Sequence, residues 1–394
     1  MINRWSAVEN DRQKNYRQFA QIPVTIAGRF GRIEKNKFCR EGVGKELTAA
    51  MKREIIKGLD LCKCLSALLI LLYHFGVERL TAGFSSPSFA AAPQFARWIE
   101  IACDLFFLTS GFSLWLGWGE GGKLSAYAKK RALAIYPMFW TGFFALFFYG
   151  EILHGNNREI PRWRLLFSVL GLDGYLSQWT LTFYKIGEWF LGCLILLYGV
   201  FPLLAWLMRR PRGRKLLAAV CVCLWAFWPL ACPAGWNARH TMLGSLPMFC
   251  AGMALARGWK NRTVQTWGWL GADLGIWALV LLLWQGSAAP WLGPVTSVLL
   301  FSGLLWLGQR LPAKAGAGLH RLAGESYGIF LVHHVFLILV WLRVMARFAI
   351  GPVLGFVLYA PLCCVLAVLL RAAAWPVRTV LARILDPGRR DGAA

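Results

Sequence analysis

Lys63 and His74 bracket ten almost wholly apolar residues in the stretch KCLSALLILLYHF, residues 63–75. A charge at the centre of a bilayer costs about 2.5–3.5 kcal/mol on insertion scales. Both residues therefore require a reason, positional or chemical. Eleven residues of helix make about three turns, which sets the two side chains on nearly one face, ~16 Å apart along the axis. Asp60 stands one turn before Lys63, at an i,i+3 spacing. In the positional reading Lys63 snorkels to one interface and His74 lies in the other. The chemical reading needs partners. Asp104 and Ser110 share the stretch CDLFFLTSGFSLWLGW, Tyr327, His333 and His334 lie in ESYGIFLVHHVFL, and Asp273 sits in a further apolar run. Lys129, Lys130 and Arg131 form a basic cluster between two apolar runs. A serine can carry a covalent acyl group. No nucleophile-elbow pattern surrounds Ser110, so Ser110 and Gly111 also read as small residues that let helices approach. His154, His240 and His320 fall in loops and are given no role.

These residues have to be held by membrane helices. The chain has 394 residues, of which 57% are hydrophobic and 16% charged, with mean hydropathy +0.50. Soluble domains carry about 25% charged residues, so this composition cannot coat a water-facing globule. The net charge of +24 does not indicate nucleic acid, because the basic residues fall in short clusters between apolar runs and no basic domain stands apart. The eleven cysteines lie mostly within apolar runs, where a thiol packs as a small hydrophobe. No paired CxxC motif is present, and no metal is expected.

With about 20 apolar residues needed per crossing, ten spans are predicted. They lie near 59–76, 99–118, 132–150, 187–207, 215–232, 242–257, 266–284, 291–308, 326–346 and 352–374. The short one at 242–257 could tilt or re-enter. Placing the N-terminus inside gives the cytoplasmic loops and tail twenty lysines and arginines against nine in the outer loops. The positive-inside rule then predicts both termini in the cytoplasm. The outer loop 151–186 is long, rich in aromatics and poor in charge; it is expected to lie flat on the outer leaflet and would suit stacking on sugars. No internal repeat is visible. Residues 1–50 are polar and patternless, either an upstream stretch before a true start at Met51 or a disordered cytoplasmic arm. The membrane domain is predicted over 51–376, with a basic cytoplasmic tail over 377–394.

Five stretches resemble acyltransferase family 3, the polytopic membrane O-acyltransferases that modify bacterial glycans. GLDLCKCLSALLILLYHF is similar to the family's first helix, with its basic residue, ten intervening residues and histidine. CDLFFLTSGFSLWLGW resembles its second-helix signature. YAKKRALAIYPMFW is similar to the basic loop that ends in Tyr-Pro, EWFLGCLILLYGVFP to the Trp-Phe-Leu helix, and ESYGIFLVHHVFL to the late helix with Tyr and His. The five stretches follow the family's order over about residues 55 to 340. Two positions depart from it. Ala134 follows Arg131 where an arginine is common, which leaves Lys129 and Lys130 to supply charge. Leu194 stands where many members have glutamate.

The resemblance implies transfer of an acyl group, most often acetyl from acetyl-CoA, to a hydroxyl of a cell-surface or lipid-linked glycan at a bacterial cytoplasmic (inner) membrane. No permanently bound cofactor is expected; acyl-CoA is the donor substrate, and membrane lipids are the remaining partners. A sugar hydroxyl is a weak nucleophile, and a neutral imidazole can take its proton during attack on a thioester. His74 is expected as that base. Asp104 is expected either to orient it or to pair with Lys63. Lys129, Lys130 and Arg131 are expected to hold the phosphates of CoA, or to serve topology alone. Lys63, Ser110, Tyr327 and His333 would line a donor channel; for His333 and Tyr327, ordinary packing stands beside that reading. The alternative is a transporter or flippase for a lipid-linked sugar, whose pathway the same buried ionisable residues would line.

Overall fold

The computed structural model describes residues 56–84, 93–118, 122–154, 159–233, 235–259, 273, 274, 276 and 292–386. The extension 1–50, and all but three residues of the predicted span 266–284, lie outside this set.

The described chain is a helical bundle without strands. The long helices are α1 (Lys57–Thr81), α2 (Pro93–Trp118) and α3 (Leu124–His154), and, after two short helices, α4 (Leu165–Val169) and α5 (Asp173–Leu176), α6 (Trp189–Arg209) and α7 (Pro211–Ala231). They continue with α8 (Met242–Trp259), α9 (Leu292–Arg310), α10 (Ala313–Gly324), α11 (Ser326–Phe336) and α12 (Leu342–Arg347), these last two joined by a π-helical turn at Leu337–Trp341. The chain closes with α13 (Pro352–Ala373) and α14 (Trp375–Leu385). Among the described residues, eight stretches are long and apolar enough to cross a membrane, over 57–81, 99–118, 124–150, 189–209, 211–231, 292–310, 326–347 and 352–373. They coincide with eight of the ten predicted spans. The chain is an all-α polytopic membrane protein.

One expectation is corrected: the basic cluster Lys129–Arg131 lies in the N-terminal part of α3 and not in a loop. The predicted tail begins within α14. Hydropathy alone misses both, because a helix continues past the apolar limit wherever its backbone hydrogen bonds are still satisfied.

The centre of the bundle is α2, packed on α1, α8 and α9. Its contact with α8 is backbone to backbone. A Cβ added at Gly111 would fall 2.0 Å from the Phe249 carbonyl oxygen, and one at Gly252 would fall 2.1 Å from that of Leu108. The SGF motif thus forms a small-residue seam of the kind that replaces the hydrophobic effect as a packing device in lipid. Phe107, Phe112, Phe139, Phe143, Phe201, Phe249 and Phe301 fill the surrounding core.

Pro137 lies inside α3 and has no N–H for the Leu133 carbonyl one turn earlier. Arg378 of α14 supplies the missing donor, Nη1 to Leu133 O at 3.1 Å. Lys129 pairs with Asp386 beyond the end of α14. The C-terminal helix is therefore fastened at two points to the Tyr-Pro segment.

Candidate active site

His74, near the C-terminal end of α1, meets a carboxylate and two further imidazoles brought from distant parts of the chain. Its Nε2 lies 3.5 Å from Glu188 Oε2. Its ring centroid is 5.0 Å from that of His333 and 4.6 Å from that of His334. His334 Nδ1 lies 2.8 Å from Glu188 Oε1, and its Nε2 lies 3.1 Å from Glu78 Oε1. His333 is fully buried, with Nδ1 2.8 Å from the Phe330 carbonyl and Nε2 3.7 Å from Glu188 Oε1. The rest of its neighbourhood is fixed by Tyr359 of α13, whose hydroxyl donates to the His333 carbonyl at 2.9 Å.

Glu188 is the hub, and two glycines place it. Gly187 adopts φ +85° immediately before it, a conformation open to glycine at little cost. Gly174 of α5 lies so close that a Cβ there would fall 2.2 Å from the Glu188 carbonyl carbon. Burial pushes the Glu188 carboxyl up, but His74, His334 and His333 outweigh it and hold the group well below the usual carboxylate range. It is an anion across the neutral range.

A cavity of about 250 Å³ opens beside these groups, with His74, Glu188, Tyr73, Glu100, Cys103 and His240 among its lining residues. Trp189 stacks on His240, centroids 4.0 Å apart and rings 12° from parallel. Burial pushes His240 down to about 4, so its ring is neutral.

Asp104 does not reach His74 or Lys63. Its Oδ2 accepts from Arg239 Nη2 at 2.8 Å and from Ser297 Oγ at 2.9 Å, and Arg239 also binds Glu100. The expectation that Asp104 orients His74 is corrected: its rotational position on α2 turns it toward α9 and the segment before α8. Lys63 stands at the other end of α1, 3.9 Å from Asp60, whose second oxygen holds His320 Nδ1 at 2.8 Å. Tyr327 donates to the Ile135 carbonyl of α3 at 3.1 Å. Ser110, beside the Gly111 seam, is absent from the lining of the His74 cavity.

A second cavity of about 280 Å³ lies at the opposite end of α2. It is lined by Ser113, Gly117 and Trp118 of α2 together with Lys123, Tyr127, Lys130 and Arg131. The Arg131 guanidinium lies over the Tyr198 ring, 5.5 Å from its centroid. Of the three basic residues singled out in the sequence, Lys130 and Arg131 face this space and Lys129 turns away to Asp386.

Sequence reasoning missed Glu188, Glu78 and Arg239, preferred His333 to His334 although both imidazoles reach Glu188, and gave His240 no role. Glu188 immediately precedes the Trp-Phe-Leu motif, and that adjacency was the available signal.

The sequence profile of acyltransferase family 3, described as an acyltransferase domain, matches residues 56–372. The chain belongs to acyltransferase family 3. Comparison with curated proteins and with solved structures gave no match. Membership makes the chain a membrane acyltransferase. Within the acyltransferase family 3 domain fall both cavities, the His74–Glu188 cluster and every residue singled out from the sequence.

Proposed function

We propose that the protein transfers an acyl group, most simply acetyl, from acyl-CoA to a hydroxyl of a cell-surface or lipid-linked glycan at a bacterial cytoplasmic membrane. The observation that carries this reading is His74 beside the Glu188 carboxylate on the wall of a cavity. His74 takes the proton of the acceptor hydroxyl as the oxygen attacks the thioester carbonyl. The new C–O ester bond forms, the C–S bond breaks, and the proton passes to the sulfur of the released CoA. Glu188 holds the imidazole and stabilises the imidazolium formed on the way. The charge bias of the loops supports an outer position for this cavity and a cytoplasmic one for the Lys123, Lys130 and Arg131 cavity, the side on which CoA is available. Trp189 and His240, stacked at the cavity wall, give a sugar ring a flat apolar surface.

The test is purified protein in lipid nanodiscs with acetyl-CoA and a surface-glycan extract from a bacterial host. Release of free CoA thiol and a matching mass increase on the glycan are expected. A protein that moves glycan across the bilayer without consuming acyl-CoA would replace this reading with the transporter one.

A further inference from the structure

The electrostatics around Glu188 suit a third group. His333 Nδ1 faces the Phe330 carbonyl at 2.8 Å, so the ring proton belongs on Nδ1 and Nε2 carries a lone pair. That Nε2 is buried without a hydrogen-bond partner among the described residues, and it points at Glu188 Oε1 from 3.7 Å. Two acceptors that face one another call for a hydrogen-bond donor or a cation between them. His74 Nε2 reaches the other carboxylate oxygen at 3.5 Å, and one ligand atom from each of His74, Glu188 and His333 lies within 4.8 Å of the others. A tetrahedral zinc ion with bonds of about 2.0–2.2 Å spaces its ligand atoms by roughly 3.3–3.5 Å, and two histidines with one glutamate is a known zinc set that leaves one position open. The two histidine–carboxylate separations, 3.5 and 3.7 Å, are within a few tenths of an ångström of that spacing, and the two imidazole nitrogens, within 4.8 Å of each other, close by rotation of the exposed-side His74 ring.

We propose that His74, Glu188 and His333 form a site for a divalent transition-metal ion of the zinc class, and that an ion bound there stops acyl transfer. Two histidines and a carboxylate favour such an ion over calcium or magnesium, which prefer oxygen ligands. The inhibition rests on the acyl-transfer reading. A dication on His74 fixes the ring and opposes the positive charge that the imidazole must acquire when it takes a proton. His334 braces the carboxylate from its other side and is itself held by Glu78. His74 and Glu188 line the cavity and give an ion its way in, while His333 is fully buried beside them. CxxC spacing, the sequence signal for zinc, is blind to a site whose three ligands come from α1, the turn before α6, and α11.

The full chain, purified in detergent after dialysis against chelator, is titrated with Co²⁺ as a spectroscopic stand-in for Zn²⁺. One Co²⁺ per chain with ligand-field absorption, displaced by Zn²⁺, is expected. Glu188→Gln and His333→Asn should each weaken binding by roughly 100-fold or more, beyond the loss seen for outer ligand partners. Unchanged helical content and a single symmetric elution peak guard against misfolding, and Glu188→Gln carries the test if the buried His333 variant fails them. No bound ion, or binding untouched by the variants, overturns the site. Ion counting does not depend on turnover, so a protein that binds the ion but transfers no acyl group keeps the site and loses the acyl-transfer reading. If the active protein holds Zn²⁺ and its rate is unchanged, the inhibition is refuted.

Discussion

At the scale of single residues, the proposed chemistry rests on His74 and the carboxylate beside it. His74→Ala should leave the protein in the membrane while esterified glycan per unit of inserted protein falls by roughly 100-fold or more, the scale of a lost general base. Glu188→Gln keeps the shape and removes the charge that steadies an imidazolium; kcat should drop by about tenfold or more. Lys63→Ala is expected to raise the apparent KM for acyl-CoA more than it lowers kcat, and Lys63→Arg to be better tolerated. His240 yields a pH prediction. Its folded pKa is depressed to about 4, so between the ordinary histidine value of about 6.5 and that point the unfolded chain binds a proton that the folded chain refuses. Stability should therefore fall as pH drops through this window. In detergent, the thermal midpoint of the parent should decline more steeply there than that of His240→Phe, which keeps the stacking on Trp189. His74 and Lys63 were legible in the sequence because they share one helix face and interrupt an apolar run. Glu188 was not, because its three histidines come from α1 and α11, and no local spacing announces partners so distant in the chain. Asp104 was legible as a buried acid but was given the wrong partner: an apolar run fixes depth in the membrane without fixing rotation about the helix axis.

At the scale of elements, two joints hold the cavities in place. The α2–α8 seam leaves no space for a side chain at Gly111 or Gly252. Gly252→Ala must separate two backbones, and a cost of about 1–3 kcal/mol, typical of overpacking, should appear as a lowered thermal midpoint and less folded protein in the membrane. The second joint is α14, tied to α3 through Arg378 and Lys129. Deleting the chain after Ala374 frees the Leu133 carbonyl beneath Pro137 and turns Lys129 loose beside the basic cavity. We expect such a truncation to insert normally but to show a changed KM for acyl-CoA, measured by thiol release. The seam was readable from SGF as a possible close contact. The α14 joint was not, because a proline announces a missing donor without saying which side chain will replace it.

For the molecule as a whole, hydropathy and helix length were enough to read an all-α membrane bundle, and eight predicted spans match long apolar helices. The orientation expected from the positive-inside rule is checked by labelling in a background free of native cysteines. A cysteine at Leu181, in the exposed segment before α6, should react with an impermeant reagent from outside, and one at Arg212 should not. The two cavities lie along one helix, with Cys103 of α2 on the wall of one and Gly117 on the wall of the other. Fourteen residues of α2 separate them, about 21 Å, against a hydrocarbon core of ~30 Å. In the proposed reaction neither the bulky nucleotide of the donor nor the sugar has to traverse the bilayer. Only a thin pantetheine arm bearing two carbons does. The cell could then decorate its exterior from a cytosolic store at the expense of a thioester bond, with no ion gradient discharged and the spent CoA left on the side where it is recharged.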